Sequence, residues 1–586
     1  MILQALNAYY ERLAADPESG VAPFGFSRQN ISFSITLNPD GSLHEIEDVR
    51  IESDKKTKPR SLVVLGNAKP SGAGINPCFL WDNAAYLLGY KADDPKPDRT
   101  RASFDALRER HLAAEQAIND SEFSSVCRFL ERWNPNEAGA HEALAELGAG
   151  FGVFRLRAAD HFVHENPAVQ SWWCEQIAAP AEESEQVTGQ CLVTGEVGPL
   201  ARLHEPKIKG VWGGQSSGAL LCSVDKSFTA ASTLGKLQGF NFPVGENAAF
   251  QYCTALNRLL DPANRQRLQV GDTSTVFWTE HPTPAENLLP WVLDPPTGAE
   301  DEALKNSIDK TLQAIAQGRY PAEFGEPDTP FYVLGLAPNA ARISVRFWWR
   351  STLQELTEHL KVHFADLHID RSDRDPEFPA LWRLLRETVR DSKDLPPLLA
   401  GAVMRSVLTG IPYPSFLFSS LVRRIRADRE VRYCRAAAIK ACLNRNTRFQ
   451  IAPLEKELPM SLDTTRTEPA YLLGRLFAEL EKSQEDALPG INDTIKDRYF
   501  GAASATPGSV FPRLVRLNQH HLGKLEKGKK TYRERRIQEI AAGLDEFPTH
   551  LSLRDQGVFA IGYYHQRQDL FTKKSNTTSD QETEKE

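Results

Sequence analysis

The sequence predicts an α+β chain. An N-terminal mixed α/β domain with β-hairpins is followed by a C-terminal α-helical bundle. Three observations carry this. Ile31-Ser-Phe-Ser-Ile-Thr-Leu37 alternates apolar and polar residues, and the turn Asn38-Pro39-Asp40-Gly41 leads to a second apolar segment at Leu43, Ile46 and Val49, which together read as a hairpin. Phe331–Leu336 and Ile343–Trp349 alternate in the same way around Pro338-Asn339. Beyond Thr352 the apolar spacing turns almost wholly helical.

A chain of 586 residues is too long for one core. We divide it into an α/β domain over 1–350, a helical connecting domain over 351–458, a helical bundle over 459–572 and a disordered polar tail over 573–586. Apolar content of 41% and charged content of 25% are those of ordinary globular protein. There is no run of 18 apolar residues, so no membrane span is expected. The opening MILQALNAYYERL reads as an amphipathic helix, not a signal peptide. Eight cysteines without a CxxC pair suit a reducing cytoplasm.

The remaining elements follow in order. A loop at 53–60 carries Lys55, Lys56, Lys58 and Arg60; a strand, Leu62–Leu65, leads to a second loop with Lys69, Gly72, Gly74 and Asn76. Residues 105–147 have helical spacing broken at Asn134-Pro135. Phe151–Arg157, Phe162-Val163 and Thr275–Trp278 read as strands, 294–300 as a linker and 301–318 as a helix. Helices are expected over 469–483, 484–500 and 556–570.

Net charge is −8, which argues against a uniformly basic surface, but the charge is uneven. Residues 419–446 hold eight positive side chains, including Arg423, Arg424, Arg426 and Arg432, against two negative. Residues 513–536 hold nine, including Lys524, Lys527, Lys529, Lys530 and Arg533, again against two. Such tracks suit a phosphate-lined channel or a solvated face paired with acids.

The most distinctive stretch is 204–260. Lys207 and Lys209 lead into Gly210, Gly213, Gly214 and Gly218, with Gln215, Ser216 and Ser217 among them and Asn241 in a second small-residue loop. Glycine lets a ligand approach the main chain, and the lysines suit an anionic one. Gly214–Gly218 also matches G-x-S-x-G, a serine-hydrolase elbow, which needs a helix directly after the serine; Leu220, Leu221, Cys222 and Val224 read as a strand instead. Lys236 is followed by Leu237, so a P-loop fails. Cys191 and His204 lack partners for a zinc knuckle, and His359 and His363 flank Leu360 where a metalloprotease helix needs Glu, so packing roles are favoured. Two function classes remain: a nucleic-acid-binding subunit, or an enzyme, either that hydrolase or a metal-dependent nuclease. Basic tracks on an acidic body, without a paired-carboxylate cluster or ATPase loop, favour binding with no cofactor.

KIKGVWGGQSSGALLCSV and LQGFNFPVGENAAFQYCTALNRLL resemble the signature region of the large subunit of type I-C Cascade, the CRISPR interference complex. Asn76–Asn83, Cys191–Gly195 and Phe331–Arg342 agree, in order along nearly the whole chain. The resemblance implies a non-catalytic subunit that reads the protospacer-adjacent motif (PAM) in duplex DNA, helps open it, holds the displaced strand and recruits the helicase-nuclease. Implied partners are crRNA, target double-stranded DNA, and the backbone and crRNA-end-binding subunits. On this basis Lys55, Lys56, Lys58, Arg60, Lys69, Asn76, Lys207, Lys209, Gly213, Gly214, Gln215, Ser216, Ser217 and Asn241 are the expected PAM contacts. Arg423, Arg424, Arg426, Arg432, Lys524, Lys527, Lys529, Lys530 and Arg533 are the expected displaced-strand contacts. The three methionines are Met1, Met404 and Met460, and only Met460 precedes a complete helical unit. Type I-C loci resemble a pattern in which the large-subunit gene also yields the small subunit, here from the C-terminal region starting at or near Met460.

Overall fold

A strand of 12 residues, β1 (Phe26–Leu37), carries the first sheet. In this computed structural model the described residues are 1–53, 56–69, 74–141, 143–178, 187–225, 235–295 and 302–571. They form two compact units: Met1–Gly210 with Gln215–Asp261, and Val211–Gly214 with the chain from Pro262 onward. The α+β class is as the sequence predicts, with strands in both units and helices through the C-terminal region.

In the first unit β1 pairs antiparallel with β2 (Leu43–Asp48) and β5 (Arg60–Leu65), and parallel with β7 (Phe151–Leu156). A small hairpin, β3 (Ile51–Ser53) and β4 (Lys56–Lys58), lies between β2 and β5 in sequence, β6 (Trp81–Asn83) pairs with β7, and β8 (Thr188–Gln190) pairs with β9 (Val197–Pro199). The predicted alternation does its work here: Phe33, Ile35 and Leu37 are fully buried. The helical run breaks earlier than expected. Asn119, at φ +45°, ends the helix Pro97–Ile118, and the Asp120 carboxylate accepts the N–H groups of Glu122 and Phe123 to start the helix Ser121–Arg132. The expected strand at Phe162 is a single bridge to Arg155 followed by one 3-10 turn, and the expected strand at Leu220–Val224 is absent. A buried cluster of Phe79, Phe104, Phe123 and Phe154 forms the core. His111 stacks on Phe79 with centroids 4.7 Å apart. Its Nε2 accepts the Leu80 N–H at 2.9 Å and its Nδ1 lies 2.7 Å from the Leu107 carbonyl, so the ring is neutral; burial lowers its pKa to about 4.

The second unit opens with an antiparallel sheet, β10 (Arg267–Val270), β11 (Thr273–Thr279), β12 (Pro330–Asn339) and β13 (Arg342–Thr352), in that order. Residue 350, where the sequence division falls, lies inside β13. One hydrophobic core runs from this sheet (Phe277, Phe331, Val333) through the helices to Phe477 and Phe559. The helix Pro469–Ala487 continues past the expected break, and the last helix, Leu553–Phe571, lies against it backbone to backbone. A Cβ on Gly474 would sit 2.1 Å from the Phe559 carbonyl oxygen, and one on Gly562 would sit 2.2 Å from that of Tyr471. Among the described residues no helix is long and apolar enough to cross a membrane. The tail at 573–586 lies outside the described residues.

Candidate nucleic-acid interface

The described residues between β5 and β6, 66–69 and 74–80, are clasped at their base. The Trp81 indole donates to the Leu65 carbonyl at 2.7 Å. Leu80 holds the left-handed φ of +61°, a conformation costly for leucine, under the His111 bond. Asp82, with no side-chain exposure, then points back into the loop. It pairs with Lys69, accepts the Cys78 N–H at 3.0 Å and accepts its neighbour Asn83's N–H at 2.8 Å. Burial raises its pKa above the ordinary carboxylate value, against the pull of the Lys69 ammonium. Lys69 also donates to the Asn76 carbonyl at 3.1 Å and lies 3.4 Å from the centroid of the Tyr86 ring. Lys69 is therefore a bracket for the loop, not the free phosphate contact expected from sequence. Asn76 is exposed, with its N–H held by the Tyr86 hydroxyl at 3.2 Å. Beside it a cleft of about 790 Å³ is lined by Asn76, Asn83, Tyr90, Lys91, Lys96 and Arg99 among others. Lys91 and Lys96 escaped the sequence reading because they stand singly among prolines and acids, without a pattern; Asp82 lies in the Asn76–Asn83 stretch, but nothing in its spacing marks it as a clasp. Lys58 and Arg60 are exposed. Lys55 and Gly72 lie outside the described residues, and Lys56 is described by its backbone alone.

The lysine pair at 207 and 209 is held from below. Ile208 and Ala219 exchange two hydrogen bonds of 2.9 Å, and Asn257, on the helix Glu246–Leu260, accepts the Lys209 N–H at 2.8 Å and donates to the Lys207 carbonyl at 3.1 Å. Both lysine side chains are exposed, as are Gln215, Ser216 and Ser217. Gly218 makes the return possible: its φ is +87°, and a Cβ there would sit 2.8 Å from that of Lys207. Asn257 is the residue the sequence reading missed; a polar residue in an apolar helix repeat was its only signal. Asn241 differs from expectation, since its amide donates to the Lys236 and Gln238 carbonyls at 3.1 and 2.8 Å and braces its own loop. The division between units falls within the glycine stretch, so Val211–Gly214 belongs to the second. There the Trp212 N–H donates to Ser274 Oγ at 3.0 Å, and a Cβ on Gly213 (φ +71°) would sit 3.6 Å from Pro338.

Ser216 lies in an exposed turn with no helix after it, so the nucleophile elbow is not formed. His204 Nδ1 sits 2.6 Å from the Tyr252 hydroxyl, and the Cys191 sulfur accepts the Val193 and Thr194 N–H groups at 3.3 and 3.5 Å. His363 packs against the Tyr413 hydroxyl at 2.6 Å, and His359 against the Leu408 carbonyl at 2.7 Å.

The two basic tracks shrink on folding. Arg435 is buried between Glu387 and Asp428, both at 2.6 Å, and Arg445 is fully buried against Asp366 at 2.9 Å. Lys440 is buried on the Ala365 and Asp366 carbonyls, and burial lowers its pKa to about 8. Arg424 pairs with Asp428, and Arg432 with Glu430 at 2.7 Å. Arg423, Arg426 and Arg429 stay exposed. In the second track Arg533 bonds the fully buried Glu479 at 3.0 Å and Asp486 at 2.9 Å, and Arg536 bonds Glu479 at 3.0 Å and Asp569 at 2.6 Å. Arg533 is thus a core ion pair and leaves the set of candidate strand contacts. Lys524, Lys527 and Lys529 stay exposed, as do Arg513, Arg516 and Arg535, the last paired with Glu539 at 2.9 Å, and Lys530 is in a loose pair with Glu534 at 3.8 Å. Arg513, Arg516 and His520, on the helix Pro507–Leu522, line a groove of about 450 Å³.

The chain matches the family model of the CRISPR-associated protein Cas_Csd1 over residues 6–571. It belongs to that family, the type I-C large subunits, and is thereby a CRISPR-associated Cascade protein whose complex contains other Cas subunits and crRNA. No curated protein matches the chain.

Proposed function

We propose that this chain is the subunit of type I-C Cascade that recognises the PAM in duplex DNA, aids strand opening, steadies the displaced strand and recruits the helicase-nuclease, with no catalytic step of its own. One observation carries the reading. Asn257 fixes the main chain of Lys207 and Lys209 while leaving both ammonium groups in solvent beside exposed Gln215, Ser216 and Ser217. Fixed cations hold phosphates without reading sequence, and short polar side chains on a glycine backbone can approach a groove floor. Lys58, Arg60 and Asn76 extend the duplex contact from the same unit, and base pairing with crRNA reads the target. In the second unit Arg423, Arg426, Lys524, Lys527 and Lys529 receive the displaced strand, joined by Arg513 and Arg516.

The C-terminal region, 459–572, serves a second time as the small subunit, made from a start at or near Met460. The helix-free stretch from Phe449 to Glu468 supports such a boundary, as does the tight pairing of the helices at Gly474 and Gly562. Gly557 packs on Phe418 and Ile439, so the free form must cover that face with another protein.

The test is binding of the assembled complex to a duplex with its PAM against the same duplex with the PAM scrambled. Selective binding that requires this subunit is expected; equal binding to both, or binding unaffected by omitting the subunit, overturns the reading.

A further inference from the structure

The second unit displays one aromatic side chain in an arrangement that packing does not explain. Trp212 is 66% exposed, more than any other large aromatic side chain among the described residues. Its backbone is nevertheless fixed. The Trp212 N–H donates to Ser274 Oγ at 3.0 Å, and that hydroxyl donates in turn to Gln269 Oε1 at 2.9 Å. The Gly214 N–H closes the turn on the Val211 carbonyl at 3.0 Å, and Val211 is buried. Gly213 and Gly214 follow, with no side chains to cover the ring, and the indole meets no aromatic or cationic partner among the described residues. Leaving a tryptophan in water forgoes a large burial gain, and here the main chain is pinned so that it stays there.

The neighbourhood indicates what the ring receives. Gly213 sits beside Pro338, and Pro338 pairs with Ile343 in the last rung before Asn339 and Arg342 at the exposed hairpin turn. Arg342 has no ion-pair partner among the described residues. An exposed indole on a pinned turn, beside the hairpin that ends in an exposed guanidinium without an ion pair among the described residues, matches a nucleotide, with a base to stack and a phosphate to pair; the same pairing of aromatic platform and cation binds single strands without sequence preference. We infer that Trp212 is a stacking platform for an unpaired nucleobase of the target DNA, with Arg342 on the adjoining phosphate. The inference rests on the DNA-binding reading above and adds a residue and a ligand class to it.

The experiment uses the assembled complex and a duplex target, with Trp212→Ala, Trp212→Phe and Trp212→Leu, each read as affinity across a salt series. Stacking is worth about 1–3 kcal/mol per base, so Trp212→Ala weakens target binding by about 5- to 150-fold. Its salt slope stays that of the wild type, because no charge is lost. Trp212→Phe retains most of the affinity and Trp212→Leu does not. Binding by Trp212→Ala within twofold of wild type overturns the inference, as does rescue by leucine equal to that by phenylalanine. Loss of complex assembly in Trp212→Ala also overturns it, by showing a protein surface instead. Failure of the underlying reading is distinguishable, since the wild-type complex would then bind PAM-bearing and PAM-scrambled duplexes equally.

Discussion

Replacing Asp82 with alanine tests whether the loop before β6 is held by one carboxylate. The change removes the partner of Lys69 and orphans the N–H groups of Cys78 and Asn83. An unsatisfied buried donor costs about 1–3 kcal/mol, and Cys78 is buried while Asn83 is only half-buried, so the two together come to about 2–4 kcal/mol. Lys69 adds less, because its ammonium keeps the Asn76 carbonyl and the Tyr86 ring as partners. The cost is local, and hydrogen exchange reads it directly: the Cys78 and Asn83 amides exchange about 30- to 1000-fold faster in Asp82→Ala. Asp82→Asn keeps an acceptor for each N–H and shows a smaller change. Wild-type protection of both amides in Asp82→Ala would refute the clasp. Loss of protection throughout the first unit would show instead that Asp82 supports the whole core.

Other expectations follow from the same interactions. Burial lowers the pKa of His111, His164 and His204 to about 4 and of His363 and His565 to about 3, so the folded state holds them neutral while the unfolded state takes up protons below about 6.5. Their stabilising effect is complete above that pH and is lost on acidification; at pH 5 each costs about 2 kcal/mol, and urea titrations at pH 8 and pH 5 should show stability falling with pH. Gly562→Ala places a methyl 2.2 Å from the Tyr471 carbonyl oxygen and should destabilise the second unit by about 3 kcal/mol, measured by urea unfolding. Expression of the single gene with a C-terminal tag should give a second species beginning at or near Met460 by intact mass; full-length protein alone, with full interference, would dismiss the internal product.

The fold was legible where one face of an element is buried and the other is not. β1, β12 and β13 show this, because alternation is the direct imprint of a half-buried strand. It failed where a cap did the work in two residues: Asn119-Asp120 ends one helix and starts the next without any proline. It failed again at Leu220–Val224, whose apolar residues follow a bridge instead of forming a ladder. The pairing of the basic tracks with acids was not legible for a different reason. A charge sum counts every face of a helix, and the acids that neutralise Arg435, Arg445 and Arg533 include Glu387, Asp366 and Glu479, which lie 48, 79 and 54 residues away in sequence. Lys207 and Lys209 stood out because glycines flank them, but the Asn257 side chain that fixes them is on a helix whose pattern reads only as core.

The most direct measurement is the salt dependence of target binding by complexes carrying Lys207→Ala with Lys209→Ala. If both ammonium groups neutralise phosphates, the slope of log affinity on log salt becomes shallower by about 1.8, at unchanged assembly and unchanged stability of the subunit. A slope equal to that of the wild-type complex would contradict a DNA-binding role for the exposed lysine pair.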